Sequence, residues 1–198
     1  MDFSKPFGGL IGNAQGAVLA VLLRTGKPLT GRQIHSIISD DHSLWSTQQS
    51  LKTLEALGLV TVVSVGKANL YGINSQHYAI EPLRVLADPI AALTTIISDT
   101  VDPEVTSVIL FGSIPRGEAQ HDSDIDLAVI APAGWSGRTA LQAAVTEHLG
   151  NECDVLVITE SDLDNNHLPV ISDILREGIV LHGESIFNLR ERHLNATK

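Results

Sequence analysis

Phe111-Gly112-Ser113-Ile114-Pro115-Arg116-Gly117-Glu118-Ala119-Gln120-His121-Asp122-Ser123-Asp124-Ile125-Asp126-Leu127 is the stretch on which the fold turns. Val105, Val108, Ile109, Leu110 and Phe111 form an apolar run of strand length, rich in β-branched residues, that stops at Gly112-Ser113. A strand is expected to end there and a helix to begin. Gly112 would let the backbone approach a ligand closely, and Ser113 offers a hydroxyl and the unpaired N–H groups of a helix start, where phosphate is favoured. Asp124 and Asp126 stand two apart at the head of a second apolar run, Ile125 to Ile130, so an extended chain points both carboxylates to one face. Such a pair beside a phosphate cradle can hold Mg²⁺ next to a triphosphate. Taken singly, a Gly-Ser is an ordinary turn and Asp-Ile-Asp the wet face of a half-buried strand; the spacing of the two together is far less ordinary.

The run Gly112-Ser113, ten residues, Asp124-Ile125-Asp126 resembles the signature of the minimal nucleotidyltransferases of the DNA polymerase β superfamily. Arg116-Gly117 and Ser123-Asp124-Ile125-Asp126 match that family's finer pattern, and Glu177-Gly178-Ile179-Val180-Leu181 its typical ending. The resemblance implies a third carboxylate on a neighbouring strand. Asp154 opens the apolar run Val155 to Ile158, with Cys153 beside it facing the other way into the core. It further implies two Mg²⁺ ions on Asp124, Asp126 and Asp154, a triphosphate held by Gly112, Ser113 and Arg116, and transfer of a nucleotide, AMP from ATP, to an acceptor hydroxyl as pyrophosphate leaves. Relatives with this motif include antitoxins that place AMP on a HEPN-type RNase toxin, toxins that extend tRNA, and antibiotic-modifying enzymes. Pro115 departs from the smaller residue common there, and a first helical turn tolerates it. Arg116 can lean over the phosphate site, or pair with Glu118 at the surface.

The chain's 198 residues carry a formal charge of −10 that is unevenly shared. Residues 1 to 86 hold seven Lys or Arg against five acids, which is +2, and the remainder holds six against eighteen, which is −12. Two domains with different partners are implied. The acidic part would repel a polynucleotide except where metal ions neutralise it, which favours a protein or small-molecule hydroxyl over tRNA as acceptor. The sequence offers no apolar run of membrane-span length and no basic lead into an apolar core, so a cytoplasmic protein with no membrane partner is expected. The single cysteine excludes an intramolecular disulfide and a thiolate zinc cluster. His148, His167 and His182 lack metal-ligand spacing, His121 reads as an exposed loop residue, and Trp45 and Trp135 read as packing or loop-anchor residues.

The Gly-rich lead-in to Asn13 is expected to be mobile. Ala14 to Arg24 reads as a buried helix. Thr30 should cap a second helix with Ile34, Ile37 and Ile38 on one face, and Ser46 a third with Leu51, Leu54 and Leu57 facing inward. Leu59 to Val65, Gly66-Lys67-Ala68 and Leu70 to Ile73 then read as a β-hairpin. The stretch Leu29 to Asn74 resembles a winged helix-turn-helix, in which the third helix enters the DNA major groove and the hairpin lies on the backbone. That resemblance points to Thr47, Gln48, Gln49, Lys52 and Lys67 as DNA-facing residues, with protein interaction or a homodimer as other uses of such a module. Glu81 to Asp88 reads as the boundary.

The expected class is therefore α/β (α+β), with a winged helix-turn-helix over 1–82 and a polymerase β-like nucleotidyltransferase domain with a mixed sheet over 83–198. The expected activity is Mg²⁺-dependent transfer of AMP to a partner, as in toxin-antitoxin systems. A transcriptional regulator with a sensing or docking transferase half, and a tRNA- or antibiotic-modifying enzyme, are the alternatives.

Overall fold

The computed structural model describes residues 1–164 and 169–196; His167 lies outside the described residues. The chain divides into two compact units, Lys5–Pro89 and Met1–Ser4 together with Ile90–Lys198.

In the first unit, α1 (Asn13–Thr25) is closed by Gly26 in the left-handed conformation. A two-residue strand β1 (Leu29–Thr30) leads into α2 (Gly31–Ile38), whose start is held by a reciprocal bond pair between Thr30 and Gln33. The third helix, α3 (Leu44–Ala56), starts earlier than expected, because Ser43 and not Ser46 is its cap: the Ser43 hydroxyl accepts from the Ser46 backbone N–H at 3.2 Å. The strands β2 (Val60–Val65) and β3 (Ala68–Ile73) form the hairpin, and β1 pairs with β3, giving a three-stranded antiparallel sheet in the order β1-β3-β2. Val18, Leu19, Leu22, Ile34, Leu51 and Leu54 make the core.

Several expectations about faces are corrected here. Ile37 and Leu57 are exposed, because the inward face of α2 is carried by Ile34 with Ile38 alongside, and Leu57 lies beyond the end of α3. The stretch read as a boundary holds a helix, α4 (Ile80–Leu86), anchored by the fully buried Ile80, and the division between the units falls just after it, between Pro89 and Ile90; Pro82 fits in the first turn of α4, where no helical N–H is required. The lead-in is not a loose arm either, since Phe7 is fully buried.

The second unit is a four-stranded mixed sheet of β4 (Ser107–Phe111), β5 (Ile125–Ile130), β6 (Cys153–Ile158) and β7 (Ile179–Gly183), in the order β6-β5-β4-β7. The strands β5 and β6 run parallel, while β4 is antiparallel to both β5 and β7. Helices α5 (Pro89–Thr100) and α6 (Arg138–Leu149) cover one face through Leu93, Ile97, Leu141 and Val145. Helices α7 (Pro169–Glu177) and α8 (Ile186–Ala196) cover the other through Ile171, Ile174, Ile186 and Leu189. The central strand β5 is therefore apolar on both faces, as a doubly covered strand must be, except at Asp126.

Candidate active site

The register of the sheet builds the site. Phe111, the last residue of β4, is the partner of Asp126 on β5, and Asp126 is the partner of Asp154 on the parallel strand β6. By the two-residue alternation of a strand, Asp126 and Asp154 share the face that carries Ala128, Ile130, Leu156 and Ile158, and both lie at one end of it. Cys153, one residue before Asp154, is buried on the opposite face; burial, with Asp154 and Asp126 adding to it, pushes its thiol up to about 12, which makes it packing and not a nucleophile.

Asp126 is half-buried, and its carboxyl is held above the usual carboxylate range, first by burial and then by the negative charges of Asp154 and Asp124. Arg116 acts in the opposite direction. Asp126 thus lies near enough to both other carboxylates expected from sequence to be acted on by their charge. Among the described residues, no set of three or more His, Cys, Asp or Glu side chains could, as placed, hold a metal ion. The donor chemistry nevertheless fits a hard divalent cation: the oxygens are carboxylate oxygens, and Asp124 and Asp154 are exposed.

Gly112 sits at φ +81, and a Cβ built there would come 2.9 Å from the Asp126 Cγ and closer still to Oδ2. The missing side chain is the room the Asp126 carboxylate occupies. The chain after Gly112 does not enter a helix as expected. It makes a run of turns through Gly117, closed by Gly117 N–H to the Ile114 carbonyl and Glu118 N–H to the Ser113 carbonyl, each at 3.0 Å. Pro115 fits such a run, because these bonds do not require its missing N–H. Arg116 Nε donates to Glu118 Oε2 at 2.7 Å, so the surface pairing and not a bare arm over the site is what this arrangement contains. Its positive charge still reaches Asp126, and Glu177 and Asp173 on α7 act on it in turn.

In the other unit, Gln48, Gln49 and Lys52 are exposed on α3 and Lys67 is exposed at the hairpin turn, but Thr47 is not with them. Thr47 is fully buried and its hydroxyl donates to the Ser43 carbonyl at 2.9 Å. The reason is helical spacing: Thr47, Ser50, Leu51 and Leu54 fall on the inward face. Trp45 is 70% exposed and so is not a packing residue, whereas Trp135 anchors its loop by donating to Asp102 Oδ2 at 3.0 Å. His121 is exposed, as its loop position suggests.

Reasoning from sequence missed Asn151, which is 5% exposed and bonded to the residue before Asp124. Its only signal was a polar residue directly after the helix-ending Gly150 and before a strand.

Residues 93–186 match the family described as "Polymerase beta, Nucleotidyltransferase", a stretch that falls wholly within the unit carrying Asp124, Asp126 and Asp154. No curated protein matches the chain. Among solved structures the chain is similar to one described as a toxin-antitoxin with AMP-PNP, at 20% identity over 55% of this chain and 86% of that one, with a TM-score of 0.41. It is also similar to a chain in the complex of a tri-AMPylated Shewanella oneidensis HEPN toxin with an MNT antitoxin, at 19% identity over 55% and 91%, with a TM-score of 0.37. A third similarity, at 16% identity over 74% and 63% with a TM-score of 0.30, is to TrmBL2, an archaeal chromatin protein described as showing a novel mode of DNA binding. No helix among the described residues is long and apolar enough to cross a membrane.

Proposed function

We propose that the unit containing Ile90–Lys198 is a Mg²⁺-dependent nucleotidyltransferase that moves AMP from ATP to a hydroxyl on a partner protein. The observation that carries this reading is the register that sets Asp126 beside Asp154 at the strand ends, next to a glycine whose missing side chain leaves room for the Asp126 carboxylate. Two Mg²⁺ ions held by Asp124 and Asp126, with Asp154 completing the second site, would supply charge neutralisation to the triphosphate and acidify the acceptor hydroxyl.

The chain's own residues have distinct parts in this reaction. The Ser113 hydroxyl and the backbone N–H groups of the turn after Gly112 hold the β and γ phosphates as negative charge moves onto the leaving pyrophosphate. Arg116 exchanges its Glu118 partner for phosphate, a trade between two oxyanions. Asp154, exposed at the start of β6, is free to accept the acceptor's proton at a carboxylate oxygen. The charge of −12 over residues 87–198 disfavours a long polynucleotide acceptor and leaves a protein hydroxyl as the better fit.

For the Lys5–Pro89 unit the reading is a winged helix-turn-helix that binds DNA. It is supported by the order α1-β1-α2-α3-β2-β3 and by exposed Gln48, Gln49 and Lys52 on the third helix with Lys67 at the hairpin tip.

Incubation of the protein with each labelled NTP, Mg²⁺ and cell lysate, with Asp126→Asn in parallel, tests the transfer. The expected result is a labelled protein band with ATP that disappears with the variant. Label that persists with Asp126→Asn, or no label on any acceptor, overturns the reading.

A further inference from the structure

Asn151 sits between the end of α6 and the start of β6, is buried, and has both polar atoms of its side chain bonded. Its Nδ2 donates to the carbonyls of Ser123 and Met1, each at 3.0 Å, and its Oδ1 accepts from the Met1 nitrogen at 2.6 Å. The orientation of the amide is fixed by this set, since the nitrogen faces two carbonyls and the oxygen faces a donor. The next residue, Glu152, continues the pattern: its carbonyl accepts from the Ile125 N–H at 2.9 Å.

Asp124 is therefore bracketed. The residue before it is tied to Asn151 and the residue after it to Glu152, and two residues further on that same segment carries Asp154. Ser123 is fixed from its other side as well, because its hydroxyl accepts from the Gln120 N–H at 2.8 Å. The backbone of Asp124 lies outside β5, where no ladder bond of its own would set its distance from Asp154. The Asn151 amide supplies that constraint from a side chain.

We infer that Asn151 is a positioning residue of the carboxylate site: by holding the Ser123 carbonyl it sets Asp124 against Asp126 and Asp154, and so sets the affinity of the cluster for a divalent cation that it does not touch. The inference rests on the nucleotidyltransferase reading. Partners that orient metal ligands without binding the metal typically change its affinity by about 10- to 100-fold when removed. Met1 belongs to the same latch. Met1 closes the Asn151 bonds, and Met1 and Phe3 pack against the core of this unit, although a whole second unit separates them from it in sequence.

The experiment titrates Mg²⁺ against the full-length parent, Asn151→Ala and Asn151→Asp, following the thermal melt and then nucleotidyl transfer at a temperature where all three are folded. Asn151→Asp keeps the shape and the acceptor but turns the donor toward Ser123 into an oxygen, so it separates the hydrogen bond from the packing. Both variants should need roughly tenfold more Mg²⁺ than the parent to reach half of the melting shift, and high Mg²⁺ should restore turnover in part. A general loss of stability would lower the melting temperature without moving that midpoint. Folded variants with the parent's Mg²⁺ midpoint overturn the inference, and so do variants that both fail to fold, since Asn151 would then be structural. A parent with no response to Mg²⁺ at all instead sinks the transferase reading beneath it.

Discussion

The carboxylate of Asp126 occupies the space that a side chain at position 112 would need, with the hypothetical Cβ only 2.9 Å from the Asp126 Cγ. Position 112 also has φ +81, where residues with a Cβ are strained. Two independent constraints thus act on one glycine. Gly112→Ala should destabilise the protein by about 1–3 kcal/mol and displace Asp126 from Asp154. A melt of Gly112→Ala with and without Mg²⁺ checks this: the expected outcome is a lower melting temperature together with a diminished Mg²⁺ shift, and a variant that keeps both parent values contradicts it.

The raised carboxyl of Asp126 gives a prediction with a definite sign. Its folded-state value lies above that of an ordinary carboxyl, so its ionisation opposes folding, and the stability it contributes is present below the unfolded value and lost as pH rises through the folded one. Asp126→Asn removes that loss. In metal-free buffer the variant should melt higher than the parent near neutral pH, and the gap should close as pH falls toward the unfolded-state value. Nucleotidyl transfer should fall by about two orders of magnitude or more, because the charged group proposed as a ligand to the reacting metal is gone. A melting gap that widens in acid contradicts the assignment of the shift to Asp126.

Much of this site could be read from the sequence, and the reasons are local. The strands that stop at Gly112 or begin at Ile125 and Cys153 are legible as short, continuous, β-branched apolar runs, and the Asp124-x-Asp126 spacing is itself a statement about one face of an extended chain. What could not be read depends on contacts far apart in the chain. Asn151 acquires its role only when Met1 and Ser123 arrive beside it. The turns after Gly112 look like a helix start in sequence, since glycine, serine and proline serve both, and only the closure of Glu118 onto Ser113 distinguishes them. Thr47 is polar by residue type yet lies four residues before Leu51 and seven before Leu54, so helical spacing puts it on the inward face whichever serine caps α3.

That inward placement separates two kinds of residue on α3. Gln48→Ala, Gln49→Ala and Lys52→Ala together should abolish specific binding to DNA from the protein's own promoter region without lowering the melting temperature by more than a degree or two, since all three are exposed. Thr47→Ala should do the reverse, costing about 1 kcal/mol of stability through lost burial and its bond to Ser43, and leaving DNA affinity of the folded protein unchanged. Gel shifts at low salt beside thermal melts decide the matter. Absence of any specific complex for the parent removes the DNA-binding reading and leaves the transferase untouched.

Ser113 provides the sharpest separation of phosphate from metal. It follows Gly112 in the turn, its carbonyl is committed to the Glu118 N–H, and its hydroxyl is the group proposed to meet the β and γ phosphates. Ser113→Ala removes one hydrogen bond to a charged ligand, which is worth enough to weaken ATP binding roughly tenfold. It takes no ligand from the metal, so the Mg²⁺ shift of the nucleotide-free protein should stay at the parent value. Asp126→Asn should give the mirror result, with the Mg²⁺ shift reduced even when ATP is absent. Measuring both variants by melt in Mg²⁺ alone and in Mg²⁺ with ATP distinguishes the two contributions. If Ser113→Ala binds ATP as the parent does, the turn after Gly112 is not the phosphate cradle, and the three carboxylates must be reconsidered as a metal site without a nucleotide.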